Sequence, residues 1–358
     1  SVAICPRLRK EVLEPLDLLG VGEGGLLRAG PKTAAPSPAA AVAHDIVTSR
    51  YSYHGHVLPI LKAHCVRCHS PEGPAPFRLT SYLDARPRAV AIKEEVLLRN
   101  MPPWYAEAGE HKLIGEDRLS AAELDIIVEW ASGGAPEGKK TPAGNFAANV
   151  KPLEVANLEL ELPEMTLAPG SRRKTVTVSL EAGLERAAWL TGWDLSTAKV
   201  DVLRSASLYR GGISPTNYLG TRMSIDEKLD WAGAGAKLEP GQDLTLSVLY
   251  TRPWRLGNKE ASVRGKLRLW ISESKPARLL QARRLSGSGN LPGGARLLGV
   301  HPSTPLRLRA AGRPESLIEI FAAPAKWPLF YRFSEPLELS DGLETLPKVR
   351  GIILFTAP

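Results

Sequence analysis

His64-Cys-Val-Arg-Cys-His69 places two thiols two residues apart, with an imidazole directly after the second. That spacing matches covalent attachment of a c-type haem. Cys65 and Cys68 would form thioethers to the two vinyl groups, and His69 would be the proximal iron ligand. A structural zinc site needs four ligands, and the one other cysteine, Cys5, lies far upstream. A thioredoxin-like pair belongs in a βαβ unit, which the Pro- and Gly-rich flanks do not offer. Haem is favoured over zinc, a redox dithiol or chance spacing.

A low-spin haem takes a second axial ligand, most often Met or His. The chain has three methionines, Met101, Met165 and Met223. Met101 sits in Arg99-Asn-Met-Pro-Pro-Trp-Tyr105, where two prolines fix φ and donate no amide hydrogen. Pro102 also drives Met101 out of the helical region. A stiff loop presenting one thioether is expected, with a core gap-filler as the plain alternative, His111 as the leading alternative ligand, and His54, His56 and His64 behind it, His64 being too near Cys65 to reach the distal face. Arg78 and Arg99 are candidates for pairing with a haem propionate, or are ordinary solvated side chains. Trp104 would pack on the porphyrin edge or fill the local core.

The 358 residues suffice for two or three domains. A formal net charge of +8 suits an acidic protein partner or an anionic surface. No zinc finger, RNA-binding signature or extended Lys/Arg block supports a nucleic-acid partner. No run of about 18 apolar residues predicts a transmembrane helix. The chain opens Ser-Val-Ala-Ile-Cys-Pro without methionine or a visible signal peptide and reads as processed or partial. Haem attachment at this motif takes place outside the cytoplasm. A periplasmic or other extracytoplasmic site is expected, with membrane association through partners or a missing N-terminal anchor. Cys5 would be a free or a lipidated thiol.

Composition divides the chain. Residues 1–45, with GVGEGG (20–25) and PKTAAPSPAAAVA (31–43), read as an extended arm or tether. GVGEGG lacks the GK[ST] ending of a phosphate loop. Residues 46–138 read as a small helical haem domain. A short helix within Tyr53–Lys62 leads into the cysteines. A second spans Asp84–Leu98, with Pro87 in its first turn and Val90, Ile92, Val96 and Leu97 among its apolar positions. The third opens on the capping box Ser120-Ala-Ala-Glu123 and carries Leu124, Ile127, Val128 and Ala131 as a stripe expected against the porphyrin and the first helix. Gly133, Gly134 and Pro136 end it. Past residue 150 the period becomes two. Leu158–Leu162, Thr175–Leu180, Leu244–Tyr250, Leu267–Ile271, Leu306–Arg309 and Leu317–Phe321 read as half-buried antiparallel strands. Two sandwiches, over 150–275 and, shortened, 276–358, are preferred to one large sandwich over the same span.

The segments HVLPILKAHCVRCHSPEGPAPFRLTSYLDARP, RNMPPW and DRLSAAELDIIVEWASGGAPEG, within 51–138, resemble the mono-haem cytochrome c domain found at the front of bacterial proteins related to copper type II, ascorbate-dependent monooxygenases. In that family the MPPW methionine is the distal ligand, which implies Met101. WAGAGAKLEPGQDLTLSVLYTRP (231–253), GARLLGVHPSTPLRLRA (294–310) and FYRFSEPLELSDG (330–342) are similar, less closely, to the same family's paired jelly-roll module. The implied fold is a small all-α class I-like cytochrome c domain followed by an all-β antiparallel sandwich (jelly-roll) region. The family's copper ligands do not carry over. Its first-module histidines fall on Arg204, Ser205 and Leu249, and those of the second on Ser303 and Pro305.

The residues alone lead to the same view of copper. From 150 onward the single histidine is His301, leucine offers no donor atom, and arginine stays protonated. No copper is expected, and no catalytic residue is assigned. The leading expectation is electron transfer through one haem c, within a complex containing a redox protein or a membrane-associated partner. A structural or assembly subunit with an incidental haem, and a haem or copper oxidoreductase, are the alternatives.

Overall fold

Period-two alternation turns into antiparallel pairing wherever the sequence shows it, because alternate side chains then share one buried face. The computed structural model describes residues 48–71, 73–140, 155–197, 202–224, 228–252, 256–286, 291–292, 294–339, 342–345 and 349–357. The expected arm over 1–45, with Cys5, lies outside the described residues.

Four short helices gather around the cysteine motif. A π-turn, Tyr53–Val57, runs into α1 (Leu58–His64). The expected second helix is broken: α2 (Tyr82–Ala85) passes through a 3-10 turn, Arg86–Arg88, into α3 (Ala89–Leu97). Pro87 falls in that turn rather than in the first turn of a single helix. Helix α4 (Ala121–Ser132) carries the predicted capping box on Ser120 and Glu123. Tyr53, Val57, Ile60, Leu61, Ile92, Val96, Ile127 and Trp130 form the core of this region. Val90 and Leu97, expected among the apolar positions of the second helix, are instead 58% and 52% exposed.

A first pair of sheets follows. One has the order β4 (Arg173–Glu181), β10 (Asp243–Thr251), β6 (Leu203–Arg210), β7 (Tyr218–Met223). The other runs β2 (Leu158–Glu161), β12 (Gly265–Ser272), β5 (Ala188–Thr197), β8 (Leu229–Asp230), with β9 (Ala236–Leu238) also on β5. Strands β3 (Met165–Leu167) and β11 (Ala261–Val263) pair separately. Leu208 and Leu246 from the first sheet meet Trp193, Leu267 and Leu269 from the second in one apolar core.

The second pair is built from β13 (Leu279–Leu285), β19 (Gly351–Ala357), β14 (Arg296–Pro302) and β17 (Tyr331–Glu338), in that order. Its other sheet is β1 (Ala106–Glu107), β16 (Ser316–Ile320), β15 (Leu306–Ala310), β18 (Leu343–Thr345).

Strand β1 corrects the expected fold class. Among the described residues the helices form no separate all-α cytochrome c domain, because β1 comes from inside 46–138 and pairs with β16, Ala106 opposite Ile320. The chain then crosses to the other sheet, where Leu113 bridges Phe333, Ile114 N–H donates to Arg332 O at 2.8 Å and Ser334 N–H donates to Lys112 O at 2.8 Å. Ala106, Ala108 and Leu113 are buried in the second β core with Leu308, Ile318 and Ile353. The helices are thus attached to sheets within a single unit, Ile46–Pro358.

The Tyr331 hydroxyl accepts the buried Tyr105 N–H at 3.3 Å, at the start of this crossing. Tyr331→Phe leaves that amide without its partner and should cost about 1–3 kcal/mol. Helical circular dichroism and tryptophan fluorescence should both shift to lower urea, with coincident midpoints. A helical signal that keeps its wild-type midpoint would contradict the attachment.

Candidate haem site

Cys65 caps the C-terminal end of α1, its amide donating to Leu61 O at 2.9 Å. One further turn follows, in which Cys68 N–H and His69 N–H donate to Cys65 O at 3.1 and 2.8 Å. Positions i, i+3 and i+4 share one side of such a turn, so both thiols and the imidazole are gathered there. Gly73 lets the following loop fold back: a Cβ at that position would stand 2.1 Å from the Cys68 carbonyl oxygen. That carbonyl accepts from Ala75 N–H at 3.1 Å.

His69 is buried, and its Nδ1–H donates to Phe77 O at 2.9 Å. The Phe77 ring lies 4.5 Å from the imidazole, and the Arg88 guanidinium is 4.7 Å from the same ring. Burial holds the His69 pKa below the ordinary value despite the Phe77 hydrogen bond, and the positive charge of Arg88 acts in the same direction as burial. The result is a neutral ring with hydrogen on Nδ1 and a lone pair on Nε2, the tautomer that can ligate a metal. Burial first, then Asp117 and Cys68, push the Cys65 thiol up to about 12. It therefore stays protonated.

His64, beside the motif, is clamped between carboxylates: Nδ1 lies 2.6 Å from Asp117 Oδ1 and Nε2 lies 3.2 Å from Glu123 Oε1. This ties the end of α1 to the start of α4. Partial burial raises the Glu123 pKa, but hydrogen bonds from Ser120 and His64 outweigh it and hold the carboxyl below its usual range.

Met101 is half-buried on a separate loop after α3. Asn100 N–H and Met101 N–H both donate to Glu95 O, at 2.9 and 3.2 Å, and Trp104 N–H donates to Pro102 O at 2.8 Å. Trp104 packs on the second β core, edge-on to Tyr331 at 5.1 Å, with Nε1–H donating to Ala106 O at 3.0 Å. Arg78 pairs with Asp84 at 3.8 Å, and Arg99 with Glu107 at 3.8 Å. His111 stands edge-on to Phe333 at 5.9 Å. The structure thus gathers Cys65, Cys68 and His69 on one turn and leaves the other candidates on their own anchors. Phe77, Arg88, Gly73 and the His64 clamp were not legible as site residues, because loop closure, not spacing, brings them there.

No disulfide joins Cys65 and Cys68, and the thiol, thiol and imidazole set suits covalent haem attachment. In the β region Ser205 lies opposite both Leu249 and Met223, so two of the positions that the resemblance would set against copper histidines are neighbours that bring no imidazole. Among the described residues, no group of three or more His, Cys, Asp or Glu is arranged to hold a metal ion.

No family model matches the chain, and neither does any curated protein. A solved structure similar to part of it is the major capsid protein P2 from bacteriophage PM2, at 8% identity and a TM-score of 0.24, covering 54% of this chain and 96% of that one. A likeness at that score carries no argument about fold or function.

Two outcomes follow from this geometry. Ser120→Ala should cost about 1 kcal/mol at neutral pH through the lost cap. Because the Glu123 pKa is depressed on folding, its contribution is complete above the unfolded carboxylate pKa and is lost as pH falls through the folded value. Urea titrations at neutral and acid pH should therefore show a smaller acid loss for Ser120→Ala than for wild type; equal losses would count against the cap. In haem-free folded protein at pH 8, Cys65 should alkylate far more slowly than in unfolded chain, read by peptide mass mapping. Equal rates would contradict a half-buried thiol with a raised pKa.

Proposed function

We propose that this chain transfers electrons through one covalently held haem c, attached at Cys65 and Cys68 with His69 and Met101 as axial ligands, as a subunit of a periplasmic or membrane-associated redox complex. The observation that carries the reading is His69, whose Nδ1–H is committed to the Phe77 carbonyl while Nε2 keeps its lone pair. When bound, the haem supplies a one-electron couple at iron. The chain's own residues hold and shield it. Cys65 and Cys68 fix its position on a helical turn, Phe77 orients His69, and the backbone bonds to Glu95 and Pro102 fix the two ends of the Met101 loop.

The resemblance of 51–138 to the haem segment of copper type II monooxygenase relatives points the same way. Copper is left out of the proposal on donor chemistry, since Arg204, Ser205 and Leu249 supply no neutral imidazole. The net charge of +8 favours an acidic redox partner, and nucleic acid is not among the partners proposed. No helix among the described residues is long and apolar enough to cross a membrane.

Intact mass after denaturation should exceed the polypeptide by one haem, because thioethers survive unfolding. Oxidised protein should show the weak near-infrared band of Met–iron ligation, and Met101→Ala should abolish it. A bare-chain mass would sink the haem. A band that is absent, or that survives Met101→Ala, would transfer the distal role to another residue such as His111.

A further inference from the structure

Residue 77 serves His69 twice. Its carbonyl accepts the imidazole Nδ1–H at 2.9 Å, and its ring packs 4.5 Å from the imidazole, the two planes inclined at 42°. The same ring carries a cation: the Arg88 Cζ lies 4.7 Å from its centre. The guanidinium is therefore no farther from the imidazole centre than the sum of those two ring distances. Arg88 is fixed from a second direction as well. It ends the 3-10 turn Arg86–Arg88 between α2 and α3, and its guanidinium donates to Asp84 O at 2.9 Å. That bond goes to the Asp84 backbone. The Asp84 carboxylate accepts from Ser81 Oγ at 2.8 Å and Thr80 Oγ1 at 3.2 Å, and faces Arg78 at 3.8 Å. Arg88 is half-buried, and its charge acts on His69 in the same sense as burial. One side chain thus seats a cation against the ring that packs on the candidate proximal ligand.

We propose that Arg88, seated on Phe77, is a positioning charge that raises the reduction potential of the haem from the His69 side. The inference rests on the haem reading above. Reduction adds one electron at iron and removes one unit of positive charge there, so a fixed cation nearby favours the reduced form. A guanidinium keeps its charge at physiological pH and stacks readily on an aromatic face. A half-buried charge is also screened less by salt than an exposed one. The Phe77 carbonyl pulls the other way. A hydrogen-bonded Nδ1–H makes Nε2 a stronger donor, which favours oxidised iron. Phe77 thus holds two opposing influences, one through its backbone and one through its ring. Only the second depends on residue 88.

The test is spectroelectrochemical titration of holoprotein at fixed pH, with haem content first established by mass. Arg88→Gln should lower the midpoint with the haem absorption spectrum unchanged. The reduction equilibrium constant should change about threefold, or ~28 mV for a one-electron couple. Arg88→Lys should keep most of the wild-type midpoint, because the charge stays while the flat guanidinium is lost. Arg88→Met puts apolar packing in place of the charge. It should match Arg88→Gln, and serves if that variant does not fold. A wild-type midpoint in whichever neutral variant folds would overturn the inference and leave the haem standing. Equal drops in the neutral variant and in Arg88→Lys would also overturn it, by showing that packing and not charge matters. So would a drop that comes with a changed haem spectrum, which would mean a disturbed ligand set. A wild-type chain without haem would sink both readings.

Discussion

Ten residues, Tyr105 to Ile114, tie the cysteine turn to the β sheets. They extend one sheet of the second pair through Ala106 and Glu107 and reach the other through Leu113, so the segment lies across the open side between the two. Backbone amides and carbonyls removed from water must find partners, and here those partners lie more than 200 residues further along the chain: Tyr105 O accepts from Phe321 N–H, and Lys112 O from Ser334 N–H. Because the Met101 loop ends where this crossing begins, its position is fixed from the β side as much as from α3. An independent helical domain would have left that loop attached to helices alone.

The same constraint gives the β region a part in the chemistry proposed for the turn. Phe321, next to the last residue of β16, contacts Tyr105 and Arg99, and a few residues later Trp327 carries Arg204. The β region supplies the aromatic contacts that anchor the Met101 loop. His301 fits this picture as a structural group. Burial pushes its pKa down to about 4, its Nδ1–H donates to Leu329 O at 3.0 Å, and its ring stacks on Tyr218. It is a neutral histidine that holds two strands together.

Legibility followed physical cause. Strands with one wet face, such as β4 and β10, announce themselves by alternation, and α4 by the serine and glutamate of its cap. Strand β7 is buried at all six positions and β5 at most of its ten, so their sequences carry no period to read. Strand β1 has two residues and no signal of its own; what makes Ala106-Glu107 a strand is the free edge of β16. In the candidate site, the spacing of Cys65, Cys68 and His69 made them visible. Phe77 acts through its backbone carbonyl, which every residue type offers, so it leaves no mark in the local sequence.

Native-state hydrogen exchange of the amides of Tyr105, Ile114, Phe321 and Ser334 tests the attachment most directly. These four amides donate across the join between the crossing segment and the β region. Cooperative attachment predicts that they exchange with free energies close to those of core amides in β14 and β19, and that denaturant moves all of them together. Exchange of Tyr105 and Ile114 at a much lower free energy, while Phe321 and Ser334 stay protected with the sheets, would show a helical region that opens on its own and would contradict the account.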